Sequence, residues 1–257
     1  MVTYFKRISI FSYGLISYLI FFATFVYSIG FIANLPFVPR TLDGEPRLPF
    51  WTALGIDVLL LSIFAVQHSL MARPAFKAWW TQWIAPAAER STYVLFSSLA
   101  LILLYSFWQP LGGEIWNIEN HSGRLVMGAI FGFGWALVFY STLLINHFDL
   151  FGVRQVWLNL LGEPYTALAF KTPGAYKLVR HPLYLGWFLC FWATPTMSAA
   201  HLLFAVLTSL YILAAIQLEE RDLLREHPEY AEYRRQVPML LPRIGGRTEA
   251  GNDREAA

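Results

Sequence analysis

The chain has little charge for its size. Lys, Arg, Asp and Glu make up 14% of its 257 residues, whereas an average soluble domain has roughly 25%. Hydrophobic residues account for 56% and aromatic residues for 17%, which excludes an intrinsically disordered chain. A net charge of only +2 argues against the concentrated basic surface of a nucleic-acid-binding protein. The composition therefore predicts a polytopic membrane protein with no nucleic-acid partner.

The chain also lacks several familiar sequence motifs. A single cysteine, Cys190, excludes a disulfide scaffold and the usual thiolate zinc sites. The six histidines form no i,i+4 pair and no HExxH motif, so we expect no metal site. Neither a GxSxG sequence nor a Walker motif is present, and no internal repeat supports an inverted-repeat transporter.

Long apolar runs predict the membrane segments. Four runs have about the 20 apolar residues that a transmembrane helix requires, at residues 8–33, 50–70, 92–108 and 125–145. A fifth apolar region, 183–217, is interrupted at 194–198 around Pro195, which predicts a short helix to Ala193 and a longer one from Ala199. We therefore expect an all-α polytopic membrane protein with four transmembrane helices, a C-terminal helical hairpin and a cytoplasmic helical tail.

The basic residues predict the orientation. With the N-terminus inside, the cytoplasmic segments up to residue 180 carry nine Lys and Arg residues and the external loops carry three. The C-terminal region adds seven, so both termini are expected in the cytoplasm. The charged stretch 219–235 reads as a helix, a turn at His227-Pro228 and a second short helix. We predict one domain over 1–244 and a disordered tail over 245–257, and the oligomeric state stays open.

Polar side chains at the ends of two predicted spans form a candidate catalytic cluster. His68 ends the second span and is followed by Arg73, while the fourth span ends in Asn146, His147 and Asp149. Both spans run in the same direction, so these groups reach one level of the membrane. The alternative is that these side chains serve packing or the membrane interface. Small-residue spacing at Gly128 and Gly132 predicts close helix packing.

The hairpin has polar residues at both of its ends. Its first end reads KLVRHPLYLG over 177–186, and its second reads EERDL over 219–223. The hairpin brings the two ends together, so an imidazole, a phenol and carboxylates suit a polar, cationic nucleoside ligand. Cofactor candidates from these ends include Arg180, Gly186 and Glu220; capping at a span boundary is the alternative.

This C-terminal pattern resembles a known family. The RHPxYxG sequence, the hairpin, EExxL, Tyr230, Tyr233 and VPMLLPR over 237–243 are similar to the isoprenylcysteine carboxyl methyltransferase superfamily. The resemblance covers 171–243 and implies an integral membrane enzyme that binds S-adenosyl-L-methionine from the cytoplasm. The cofactor positions that it implies are Tyr176, His181, Pro182, Leu183, Tyr184 and Glu219.

The sequence departs from that superfamily at two positions. Enzymes acting on prenylcysteine have an arginine four residues before the position of Glu219, where it helps to hold the substrate carboxyl group. This chain has Ala215 there, which argues against a carboxylate substrate. His227-Pro228 replaces a common Phe-Gly pair and affects a turn.

The N-terminal two thirds resemble one branch of the superfamily. The segments 64–80, 89–104 and 137–159, above all INHFDLFGVRQ, are similar to the bacterial methanethiol S-methyltransferases. Denitrification-associated relatives share parts such as HSLMARP. The resemblance implies methylation of a small volatile thiol, methanethiol, to dimethyl sulfide in the bacterial inner membrane. A different thiol or lipid substrate, or a non-enzymatic denitrification-associated protein, remains an alternative.

The candidate cluster suggests a mechanism for such a reaction. Either His147 or His68 would act as the general base that removes the thiol proton. Asp149 would orient the histidine or one of the arginines Arg73 and Arg154, and Asn146 would position the thiol or the cofactor. A small dry cavity with aromatic walls would favour the transfer because charge is neutralised as it proceeds.

Overall fold

A computed structural model describes residues 2–242. Arg243 of the VPMLLPR sequence and the predicted disordered tail lie outside the described residues. The protein is mostly helical, and five helices are long and apolar enough to cross a membrane: Tyr4–Ile32, Phe50–Ala72, Pro86–Phe107, His121–Leu144 and Ala199–Glu226. The chain is therefore a multi-pass membrane protein.

The helices follow the apolar runs of the sequence closely. The described helices are α1 (Val2–Ile32), α2 (Phe50–Ala72), α3 (Pro74–Trp80), α4 (Glu89–Phe107), α5 (His121–Leu144), α6 (His147–Leu150), α7 (Val153–Leu161), α8 (Pro182–Trp192), α9 (Ala199–Glu226) and α10 (Tyr230–Gln236). Short 3-10 turns lie at Pro86–Ala88 and Gly174–Lys177. The predicted second short helix after His227-Pro228 is present as α10.

The break in the last apolar region contains a strand that the sequence did not predict. Helix α8 ends at Trp192 and α9 begins at Ala199, and between them β2 (Thr196–Ser198) pairs antiparallel with β1 (Glu114–Asn117). Ser198 then caps α9, since its hydroxyl accepts a hydrogen bond from the His201 amide at 3.0 Å. The hairpin is thus two helices joined by a short extended segment.

Helices α5 and α8 approach each other at two glycines. A Cβ atom on Gly134 would lie 2.9 Å from the Gly186 carbonyl oxygen, and one on Gly186 would lie 2.8 Å from the Gly134 carbonyl oxygen. By contrast, a Cβ atom on Gly128 or Gly132 would meet nothing within 4 Å among the described residues. The predicted close packing by small residues therefore occurs on α5, but at Gly134.

Several helix ends meet on one face of the bundle, which we call the motif face. It contains the start of α1, the end of α2, the start of α4, the end of α5 and the end of α9. Arg90 Nε donates to the Leu150 carbonyl oxygen at 2.7 Å, and Arg73 pairs with Asp222 at 3.1 Å. On the opposite face, Trp108 Nε1 donates to the Leu42 carbonyl oxygen at 3.1 Å and holds the 33–49 loop. Both predicted site regions lie on the motif face.

Candidate active site

A buried carboxylate joins three elements at the motif face. Glu220 of α9 is 3% exposed. Its Oε1 accepts hydrogen bonds from Arg180 Nε at 2.8 Å and His181 Nε2 at 3.0 Å, and its Oε2 pairs with Arg234 Nε at 3.2 Å. Both carboxylate oxygens are therefore occupied, so Glu220 holds the start of α8 and α10 against α9.

The chain after α10 completes this junction. The amides of Arg180 and His181 donate to the carbonyl oxygens of Pro238 and Met239 at 2.8 Å and 3.1 Å. Phe170 packs against the rings of Tyr230 and Tyr233, with centroids 5.8 Å and 5.7 Å away. Helix α10 and the residues that follow it are thus packed against the start of α8.

The adjacent carboxylate has a different environment. Glu219 is exposed, and its Oε2 accepts a hydrogen bond from the Tyr184 hydroxyl at 2.9 Å. Burial, together with the charge of Glu219 and the Tyr233 phenol, raises the pKa of Tyr176, which lies nearby. The Tyr233 hydroxyl donates to the Tyr176 carbonyl oxygen at 2.6 Å, and burial raises the pKa of Tyr233 to about 12. The Tyr176 and Tyr184 phenols therefore lie beside Glu219, whose other carboxylate oxygen has no hydrogen-bond partner among residues 2–242.

Three further cofactor candidates lie at the start of α8. Pro182 is the first residue of the helix and is fully buried, where its missing N–H costs no hydrogen bond. Leu183 beside it is half-buried. Gly186 is in contact with the α5 backbone, so the structure gives it a role in helix packing.

His68 lies among hydroxyl groups between α2, α4 and α9. The Tyr93 hydroxyl is 2.7 Å from His68 Nε2, and Ser97 Oγ is 3.1 Å from Nδ1. Tyr211 packs edge-on to the imidazole with ring centroids 6.4 Å apart. Ser69 Oγ is 3.2 Å from the Tyr211 hydroxyl and Arg73 pairs with Asp222 at 3.1 Å, so the end of α2 runs along the part of α9 that carries Glu219. His68 therefore belongs to the same region as the Tyr184–Glu219 pair.

His147 lies between α1, α5 and α6, where hydrogen bonds determine its tautomer. The Thr142 hydroxyl donates to the Phe139 carbonyl oxygen at 2.7 Å, so Thr142 Oγ1 accepts from His147 Nδ1 at 2.8 Å. His147 Nε2 then accepts from the Tyr18 hydroxyl at 2.9 Å. Burial lowers the pKa of His147, which keeps the ring neutral. Both ring nitrogens are thus used in joining α1 to α5.

The remaining candidates form hydrogen bonds near the ends of α2 and α5. Asn146 has a positive φ of 75° and caps α6, its side-chain oxygen accepting from the Asp149 amide at 3.1 Å. Asp149 pairs with Arg154 at 2.8 Å and accepts from the Tyr165 hydroxyl at 3.3 Å. Arg73 bridges α2 to α9 through Asp222.

The structure therefore divides the predicted catalytic cluster into two groups. His68 lies with the cofactor candidates, whereas Asn146, His147 and Asp149 form their hydrogen bonds around α6. Arg90 and Phe151 connect the two groups: Arg90 lies over the Tyr93 ring at 5.0 Å and binds the Leu150 carbonyl oxygen, and Phe151 packs between His147 and the Tyr93 cluster. Tyr93, Ser97 and Tyr211 were missed as neighbours of His68. Their polar groups within apolar helices were the available signal, but only the packing of α2, α4 and α9 brings them together.

Relatives of the chain include methanethiol S-methyltransferases and Nurim proteins. It is 55% identical to a methanethiol S-methyltransferase of Crocosphaera subtropica, with 95% of each chain covered. It is 50% identical to a methanethiol S-methyltransferase of Mycobacterium tuberculosis, covering 92% of this chain and 97% of the relative. Nurim of Xenopus laevis is 31% identical, covering 78% of this chain and 76% of that protein.

Two other comparisons found no match. No family model matches the chain. No solved structure matches it either.

Proposed function

The chain belongs to the methanethiol S-methyltransferase family, and on that premise we propose how its motif face methylates methanethiol to dimethyl sulfide. The protein is a methyltransferase, and its relatives at 45–55% identity carry this activity in their names. The observation that supports the site is the proximity of the Tyr184–Glu219 pair to His68. The Tyr184–Glu219 side of this region suits a cationic cofactor, and the His68 side suits a small thiol.

We propose S-adenosyl-L-methionine as the methyl donor. When bound, it supplies a methyl group on a cationic sulfur. The free carboxylate oxygen of Glu219 can accept hydrogen bonds from ribose hydroxyls or an ammonium group, and the Tyr176 and Tyr184 phenols lie beside it. This set of acceptors and aromatic rings fits such a cofactor. Glu220, Arg180 and His181 act indirectly, because their mutual hydrogen bonds fix the start of α8.

His68 is the base that we assign to the thiol. Small thiols ionise near or above the roughly 8.5 of free cysteine, so few are thiolates at neutral pH and a base increases the reactive fraction. Proton transfer to His68 would leave the sulfur electron pair free to form the new bond to carbon, while the breaking bond returns its pair to the cofactor sulfur. Tyr93 and Ser97 hold the imidazole in place.

The surrounding aromatic rings exclude water from this step. Phe64 stacks on His68 with ring centroids 5.2 Å apart. The Tyr93 ring centroid lies 5.0 Å from that of the His68 imidazole. Methanethiol has few groups to recognise. The shape of the pocket and the exclusion of water therefore contribute more to the reaction rate than specific hydrogen bonds to the thiol. The apolar composition therefore serves the chemistry as well as the membrane.

The charge distribution supports a location in the bacterial inner membrane with the motif face in the cytoplasm. Most Lys and Arg residues lie on segments at that face, as the positive-inside rule requires. The cofactor would then enter from the cytoplasm. We treat 1–244 as one methyltransferase domain, with its cofactor-binding part at 171–243.

Headspace gas chromatography tests the function directly. Cells expressing the chain and fed methanethiol should release dimethyl sulfide above cells with the vector alone. Purified protein should make the product only when S-adenosyl-L-methionine is added. Equal dimethyl sulfide from both cell lines, at matched expression, would refute the proposed reaction.

A further inference from the structure

A polar cavity on the motif face is not used by the proposed reaction. It has a volume of about 690 Å³, within the range of small-molecule sites. It lies between α3, the start of α4 and the pair α6–α7. Its polar lining residues are Lys77, Glu89, Arg90, Asp149, Gln155, Asn159, Glu163 and Tyr165. The cavity thus carries charges of both signs.

Two cations on one side of the cavity suit an anionic group. Burial lowers the pKa of Lys77, with Arg90 and Arg73 adding to this effect and Glu89 and Glu226 opposing it. No carboxylate among residues 2–242 pairs with Lys77 within 4 Å. Arg90 uses Nε to bind the Leu150 carbonyl oxygen, which leaves its two terminal nitrogens for a ligand. A phosphate between them would stabilise both charges.

Two carboxylates and two amides on the lining suit a cationic group beside that phosphate. Asp149 is neutralised by Arg154, but Glu89 and Glu163 form no ion pair within the described chain. The buried atoms Gln155 Oε1 and Asn159 Nδ2 make no hydrogen bond with any described residue. The lining therefore offers acceptors for an ammonium group and a further donor for a phosphate oxygen.

The cavity lies at the ends of membrane-spanning helices, which is the level of the lipid headgroups. The helix α2 ends at Ala72, the span of α4 begins at Pro86 and α5 ends at Leu144, so the lining residues lie just beyond three membrane-spanning segments. Trp79 and Trp83 beside the cavity are 50% and 74% exposed. Exposed tryptophans at span ends mark the membrane–water interface.

We propose that this cavity binds a phosphate-plus-ammonium headgroup, as carried by phosphatidylethanolamine or by soluble phosphoethanolamine. Lys77 and Arg90 bind the phosphate, and Glu163 and Glu89 bind the ammonium group. The site shares no lining residue with the Tyr184–Glu219 pair, and Arg90 links it to the His68 region because its guanidinium lies over the Tyr93 ring at 5.0 Å.

Native mass spectrometry of delipidated full-length protein tests the site. Wild type should bind added phosphatidylethanolamine, and Lys77→Gln should weaken this binding about tenfold or more. Glu163→Gln should reduce the preference for phosphatidylethanolamine over phosphatidylglycerol, which lacks the ammonium group. Lys6→Gln removes an exposed cation from the same face and should behave as wild type. Unfolding midpoints of all variants control for folding.

A competition arm distinguishes the two sources of the headgroup. If soluble phosphoethanolamine alone displaces the lipid at matched concentration, the ligand is the free compound; if displacement requires acyl chains, the ligand is the lipid. Unchanged phosphatidylethanolamine binding in Lys77→Gln, together with an unchanged lipid preference in Glu163→Gln, would overturn the proposal. Displacement of the lipid by S-adenosylhomocysteine would also overturn it, by assigning the cavity to the methyl donor.

Discussion

Glu219 and Glu220 are neighbours in the sequence but differ in their contacts. Glu220 is enclosed by Arg180, His181 and Arg234, whereas Glu219 has a hydrogen bond to Tyr184 and faces the open side. One carboxylate therefore maintains the junction of three helices, and the other is free for a ligand. Substitution should separate these two roles.

We expect Glu219→Gln to weaken binding of S-adenosylhomocysteine about tenfold or more in calorimetry, because a charge-assisted hydrogen bond is lost. Its unfolding midpoint should stay near that of wild type. Glu220→Gln should instead destabilise the protein by roughly 3 kcal/mol, since it leaves buried Arg180 without its partner. Wild-type affinity in a folded Glu219→Gln protein would contradict the assignment.

His68 and His147 each have hydrogen-bond partners at both ring nitrogens, but their partners differ. Tyr93 and Ser97 of α4 bind His68 beside α9, whereas Thr142 and Tyr18 tie His147 to α5 and α1. We expect His68→Gln to lower kcat by about 10²-fold or more, the contribution of a general base. Raising the pH toward the thiol pKa should restore part of that rate by supplying thiolate directly. The measurement is initial rates of dimethyl sulfide formation between pH 7 and 9.

His147→Gln provides the matched control for that measurement. It should keep a rate near wild type while lowering the unfolding midpoint, and its pH profile should be unchanged. A pH-independent loss in His68→Gln, or an equal rate loss in His147→Gln, would remove His68 from the role of base.

At the scale of helices, the contact between α5 and α8 depends on the absence of side chains at Gly134 and Gly186. We expect Gly186→Ala to destabilise the protein by about 1–3 kcal/mol, because its Cβ would press against the α5 backbone and Val138. Gly128→Ala on α5 has open space around the new Cβ atom and should be neutral or slightly stabilising. Unfolding in detergent, followed by circular dichroism, compares the two; equal midpoints would contradict the packing argument.

The helices were predictable from the sequence where a long apolar run or a turn residue marked their ends. The apolar runs indicated the helices now seen as α1, α2, α4 and α5, and Pro195 indicated the interruption between α8 and α9. The strand pair was not predictable, because it joins Glu114–Asn117 to Thr196–Ser198 across much of the chain. Likewise, local spacing indicated Gly128 and Gly132, but only tertiary packing distinguishes them from Gly134.

The candidate site was also predictable only in part. The motif residues at the two ends of the hairpin do meet, because a hairpin must bring its ends together. The grouping of His68 with Tyr93 and Tyr211 was not predictable, since it depends on how three separate helices pack. For the same reason the sequence could not separate the roles of His68 and His147.

For the whole molecule, the uneven distribution of Lys and Arg predicts the orientation. Fusions of green fluorescent protein at the C-terminus should fluoresce, and alkaline phosphatase fused there should be inactive, because the proposed topology places the motif face in the cytoplasm. Alkaline phosphatase inserted in the 33–49 loop should be active. An active C-terminal phosphatase fusion would reverse the proposed topology and the route of cofactor entry.

The brevity of α8 has a consequence for biogenesis. A helix of 11 residues is about 16 Å long, roughly half the thickness of the hydrocarbon layer, so it cannot be threaded into the bilayer as an independent stop-transfer unit. It must enter together with α9, after α5 is already in place to receive it. The proposed cofactor motif at the start of α8 therefore assembles only after α9 has been synthesised, and we expect a chain released before α9 to insert without activity.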